Sequence, residues 1–211
     1  MVTLLQFIQA PGELLPEFLS FLIAILVALT VHEFAHAKAA QKAGDPTAEQ
    51  AGRVTLNPFA HFDPIGTTMI LIGGFGWGKP VPVNPTLFKR PRLDNILVSL
   101  WGPLSNFITA TTFAIPLKFG IVPEGYEIVL IAIVYMNLVL GIFNLIPIYP
   151  LDGSHILIGL LPLVQARKVE EFYHRFGIFA LIIVIMSGVT RYIVGLPVLI
   201  IFALLTTPFG S

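Results

Sequence analysis

Apolar residues gather in blocks along this chain, and Gly, Pro and charged residues punctuate them. The first block, residues 18–31, is interrupted only by Ser20 and Thr30. It predicts a membrane-spanning helix over about residues 17–43, stopped at Gly44-Asp45-Pro46. Residues 45–63 are polar and rich in turn formers, with 52–57 expected as a short strand. Residues 65–75 are apolar but too few to cross about 30 Å of hydrocarbon as a helix, so they read as a re-entrant segment. The next stretch pairs a glycine-rich part, 73–78, with an extended part, 79–85, whose alternating prolines fit only the edge of a sheet. Further spans follow at 92–117 and 127–145, then a short helix at 152–161 and a charged stretch at 165–175. Two closing segments, 176–189 and 192–205, flank Thr190-Arg191. The pattern predicts an all-α polytopic membrane protein of about five to six transmembrane or re-entrant helical segments. A small β element is expected near the cytoplasmic side.

Composition supports the bilayer as the surrounding medium. The chain is 55% hydrophobic and 11% charged, whereas soluble domains carry about 25% charged residues. The formal net charge is zero, and the lack of a basic excess excludes a nucleic-acid partner. No cysteine is present, so a metal must be held by His, Asp or Glu. Residues 1–5 lack the basic start and small-residue cleavage pattern of a secretory signal, so the first helix is expected to be retained. Basic residues cluster at Lys38 and Lys42, at Lys79, Lys89, Arg90 and Arg92, and at Arg167, Lys168 and Arg175. Placing these groups in the cytoplasm makes residues 65–75 enter and leave on one side and leaves Lys118 and Arg191 outward.

One polar string breaks the apolar pattern at membrane depth: His32-Glu33-Phe34-Ala35-His36. Imidazoles and a carboxylate are costly there, so function is the default reading. Residues i and i+4 share a helix face about 6 Å apart along the axis. Both histidines then reach one zinc ion at about 2.0–2.1 Å, with Glu33 beside it as a proton acceptor. The string reads as a zinc hydrolase site within the bilayer. A catalytic zinc takes three protein ligands, so one more must come from elsewhere. Asp152 is the strongest candidate, because Pro147 and Pro150 break the chain just before it. Capping the helix that follows is its other use. Two rivals remain: a membrane zinc-binding or zinc-transport protein without protease activity, and an inactive adaptor. Neither needs Glu33.

At these residues the chain resembles the site-2 proteases, intramembrane zinc metalloproteases. His32-Glu33-Phe34-Ala35-His36 matches the family's H-E-x-x-H, and Asn144 through Gly153 matches N-x-x-P-x-x-x-L-D-G. Gly102 and Asn106 fit its G-x-x-x-N element, and residues 75–85 resemble a stretch of the compact bacterial and archaeal members. The likeness covers about residues 20–160; the last fifty match in hydropathy alone. It implies one zinc per chain on His32, His36 and Asp152, with Glu33 as general base and Asn144 as a candidate oxyanion donor. The alternative for Asn144 is a hydrogen bond that fixes the broken helix. The implied substrate is a single-span membrane protein, cut within or near its transmembrane segment after another protease has trimmed it. Residues 79–85 offer an edge to which an unwound substrate adds as a strand. Residues 1–211 read as one integral membrane protease domain without a PDZ or CBS module, in a prokaryotic plasma membrane with its site near the cytoplasm. Asn106 is a candidate for substrate contact and Asn137 for structure. His155, one helical turn from Asp152, is read as lying behind the metal ligands or facing solvent rather than facing the metal, and His61 and His174 are read on the surface. Nothing in the sequence sets the oligomeric state.

Overall fold

The structure is a computed structural model that describes residues 7–8, 10–73 and 76–208. Gly74 and Phe75 of the glycine-rich loop, and residues 1–5 with their expected lack of a secretory signal, lie outside the described residues.

Helix α1, Pro11–Ala43, begins with proline in its first turn, where no N–H is needed, and ends at Gly44 with φ 107°. Its 33 residues extend about 50 Å, ample for a span. Short α2, Thr47–Gln50, follows it. Helix α3, Pro64–Gly73, is ten residues long, about 15 Å, and too short to cross. Helix α4, Pro91–Phe119, starts where Asp94 accepts from the Arg90 N–H (2.8 Å) and guanidinium (2.9 Å). Helix α5 is Glu127–Asn144 and α6 is Asp152–Leu160. Helix α7 is Leu163–Met186, and α8, Leu196–Thr206, follows a π turn at Arg191–Gly195.

Helices α1, α4 and α5 pack mutually and form the body. Small side chains line their contacts: Ala24, Ala28, Ala37, Ala40, Ala110 and Ala114 are all buried, which lets backbones approach where lipid supplies no hydrophobic drive. An apolar core of Val134, Leu138, Ile146, Leu181 and Val198 ties α4 and α5 to α7 and α8. Phe21, Ile25 and Ile70 hold α3 against α1. Leu19, Ile23 and Leu26 point outward, as lipid-facing residues do.

Two expectations change. Residues 52–57 form turns rather than a strand, and no strand occurs among the described residues. The Gly52 and Arg53 N–H groups return to Glu49 and Ala48, so no ladder partner is sought. The charged stretch 165–175 lies inside α7 and does not precede it. Gln, Arg, Lys and Glu favour helix while lowering hydropathy, so the apolar block marked only the second half of the helix. Among the described residues three helices are long and apolar enough to cross a membrane, α1, α4 and α5, or four spans if α7 and residues 191–206, bent by 74°, count as one.

Candidate active site

Three elements converge. Helix α1 supplies His32 and His36 from one face, a full turn apart. Helix α4 brings Gly102 and Asn106 to that face, and the first residue of α6 is Asp152. The chain reaches Asp152 through a break at 145–151, where the Tyr173 hydroxyl donates to the Pro147 carbonyl. Gly153 makes the return tight: a Cβ there would stand 2.3 Å from the Leu145 oxygen and 2.5 Å from that of Ile146. Asp152 is the first residue of α6, one past the N-cap Leu151. Its carboxylate turns to the histidines, with Oδ2 at 3.1 Å from His32 Nε2 and Oδ1 at 3.3 Å from His36 Nε2.

The hydrogen bonds behind the imidazoles fix their tautomers. Asn106 directs its amide nitrogen to the Ala28 carbonyl (3.0 Å) and to Asn137 Oδ1 (2.9 Å), so its Oδ1 must accept. It accepts from His32 Nδ1 at 2.7 Å. His36 Nδ1 donates to the Val98 carbonyl at 2.8 Å. Each ring in its neutral form therefore carries its lone pair on Nε2, and the two Nε2 atoms lie 3.0 Å apart, facing the carboxylate. Asp152 Oδ2 is buried and makes no hydrogen bond, despite its nearness to His32.

Acceptor atoms this close are held together by a shared cation, a metal ion or a proton. Ligand atoms 2.0–2.1 Å from one tetrahedral ion stand about 3.4 Å apart, and here they stand 3.0, 3.1 and 3.3 Å apart. The donor set, two imidazoles and a carboxylate, suits zinc. The side chains of His32, His36 and Asp152 are 6%, 11% and 16% exposed. Gly102 leaves room for this arrangement, since a Cβ there would lie 2.3 Å from His36 Nε2.

Glu33 follows His32 on α1, and its Oε2 accepts from the Val81 N–H at 3.0 Å. Val81 sits in the extended stretch 79–84, which is tied at both ends. The Lys79 N–H donates to the His61 carbonyl (2.9 Å). The Asn84 N–H donates to Asp45 Oδ2 (2.7 Å). Arg53, 5% exposed, donates to the Lys79 carbonyl and to that of Pro80 (3.2 Å), while its Nε has no partner. Burial lowers the Arg53 pKa from its ordinary value, and the charge of Glu33 works against that fall. Asp45 is fully buried; burial alone would raise its pKa, but donors from Thr47 and Asn84 outweigh it and hold the carboxyl below the usual carboxylate range.

Asn144 stands apart from this cluster in its recorded bond: its amide nitrogen donates to the Leu140 carbonyl at 3.0 Å. Asn106 touches the histidine, and Asn137 supports Asn106 while donating to the Ile133 carbonyl. His61 is buried, a correction to its surface reading, because its ring bridges the Thr55 carbonyl and the Arg53 guanidinium. His174 is exposed, and the His155 ring lies edge-on to Tyr149. Arg53 and Val81 escaped sequence reading. A lone arginine within a turn and a valine between prolines carry no local signal of a partner 26 to 48 residues away.

Residues 121–188 match peptidase family M50. Over 196 residues the chain is 39% identical to YwhC of Bacillus subtilis, named as a zinc metalloprotease, with 87% of each chain covered. It is 33% identical over 136 residues to Rip2 of Mycobacterium tuberculosis, also named as a zinc metalloprotease, covering 61% of this chain and 52% of that one. A zinc metalloprotease of Methanocaldococcus jannaschii is 29% identical over 140 residues, covering 66% of this chain and 33% of its own. No solved structure matches the chain significantly.

Proposed function

Because the chain belongs to peptidase family M50 and is an intramembrane zinc metalloprotease, we propose that His32, His36 and Asp152 hold its zinc and that Glu33 is its general base. The observation that carries this is the convergence of ligand atoms of His32, His36 and Asp152 within 4.8 Å of one another, with Glu33 next to His32 on a helix long and apolar enough to cross a membrane. Bound zinc supplies Lewis acidity, which polarises a scissile carbonyl and makes water a nucleophile near neutral pH. The chain's own groups do the rest. Asn106 and the Val98 carbonyl accept from Nδ1 of the two imidazoles and so turn both Nε2 atoms towards the ion. The Glu33 carboxylate takes the proton of the attacking water and delivers it to the leaving nitrogen. Asn144, with one amide hydrogen on Leu140, turns the other to the developing oxyanion.

The substrate class is a membrane protein cut within the bilayer. More narrowly, we propose a single-span protein whose unwound segment lies along residues 79–84, which form neither helix nor strand and carry Pro80 and Pro82. The small β element then forms when substrate supplies the second strand. Residues 1–211 act as one protease domain in a prokaryotic plasma membrane. The full set of five to six membrane segments comprises α1, α4, α5, α7 and α8, with α3 dipping in and out. The basic groups at the ends of α1, before α4 and in α7 support a cytoplasmic site.

Cleavage of a single-span reporter in vesicles tests the assignment. Wild type is expected to cut it, and Glu33→Gln to lose at least about a hundredfold in rate with zinc content unchanged. Cleavage by Glu33→Gln at the wild-type rate would remove Glu33 from the chemistry.

A further inference from the structure

The extended stretch 79–84 does more than lie beside the site. Pro80 and Pro82 have no N–H, so Val81 holds the one main-chain donor of residues 80–82, and that donor is given to Glu33. The position of Val81 is in turn imposed from below. Arg53 grips the two carbonyls that precede it, His61 takes the Lys79 N–H, and Asp45 takes the Asn84 N–H. A guanidinium that is 5% exposed and bonded to neutral oxygens is expensive to bury. Such a cost is retained where a backbone must be held to a fixed height.

We propose that the Val81 N–H is the orienting donor for the general base, and that Arg53 is a positioning residue acting through it. With Oε2 of Glu33 held by Val81, the carboxylate has one fixed rotation and its other oxygen, Oε1, is left for the proton in transfer. The same stretch that receives the substrate strand thus sets the base, so docking and base orientation share one backbone. The inference rests on Glu33 being the base, which the reporter assay with Glu33→Gln tests separately.

Val81→Pro tests it. The substitution deletes the N–H at a position that already precedes proline, where extended or polyproline backbone is favoured. Its comparison is Val81→Ala, which shortens the side chain but keeps the donor. The kcat of Val81→Pro is expected at least about tenfold below that of Val81→Ala, with KM within about twofold and zinc content equal. Arg53→Ala should show the same fall in kcat, partly rescued in Arg53→Lys. Equal kcat in the two Val81 variants would overturn the proposal. A second reading needs no turnover and no proline: amide exchange at Val81 in otherwise intact chains. Exchange should quicken at least about tenfold in Glu33→Ala and stay slow in Glu33→Gln, whose side-chain oxygen still accepts. Unchanged exchange in Glu33→Ala would overturn the proposal whatever the fate of the proline variant.

Discussion

Gly102 and Asn106 lie one helical turn apart on α4 and press on the two imidazoles from one side. Asn106 sets which nitrogen of His32 carries the proton, and Gly102 keeps the space that His36 occupies. Gly102→Ala would put a methyl carbon 2.3 Å from His36 Nε2 and 2.9 Å from His32 Cε1, in a wall of backbone and rings that has no slack. Zinc affinity is expected to fall about 10–100-fold, the usual cost of disturbing the shell around a metal site, in a competition titration with a chelating dye. Wild-type affinity in that variant would mean the rings sit elsewhere. The residues legible in the sequence were those whose partnership is local or punctuated. The histidines are four apart on one helix, and Asp152 follows a proline break. Asn106 was legible as a polar residue within a span, but its partner is 74 positions away and its role as a tautomer lock needs the packed helices.

At the scale of elements, the stretch 79–88 is held to the bundle by few contacts. Phe88 packs with Ala40 and Val98, and Asp45 joins the end of α1 to Asn84. Replacing Asp45 with Asn weakens charge-assisted bonds from Asn84 and Thr47 and should cost about 1–3 kcal/mol. The pH dependence has a definite sign. The folded carboxyl has a lowered pKa, so its contribution is fully present above the unfolded value near about 4 and is lost as pH falls through the folded value. The gap in thermal stability between wild type and Asp45→Asn is therefore expected to be constant from about pH 5 to 8 and to narrow in stronger acid. A gap that widens on acidification would contradict the tie. Helix ends were legible where Pro opens or Gly closes an element, as at Pro11, Gly44, Pro91 and Gly120. The start of α7 was not, because exposed charged residues lower hydropathy without ending a helix. The strand expected at 52–57 failed because strand formation depends on a partner, and this segment spends its donors on α2 and its own turn.

Across the whole molecule, apolar patterning pointed to the membrane class and polar exceptions to the candidate site. Three helices pack closely through small residues, and that packing brings an α1 face, an α4 face and the start of α6 to one point. Sequence showed the ends of this arrangement but not its convergence, since the distance from His36 to Asp152 along the chain is 116 residues while their atoms lie 3.3 Å apart. The core extends from there into α7 and α8; the last fifty residues read as family-like in hydropathy alone, yet the family match runs through residue 188 and covers α7. The central claim is that these elements exist to hold one metal ion between His32, His36 and Asp152. Zinc per chain, measured by mass spectrometry on detergent-purified wild type and Asp152→Ala prepared without chelator, tests it most directly. The account predicts about one zinc ion per wild-type chain and a large loss in a folded Asp152→Ala. Undiminished zinc in the variant, or none in folded wild type, would contradict it.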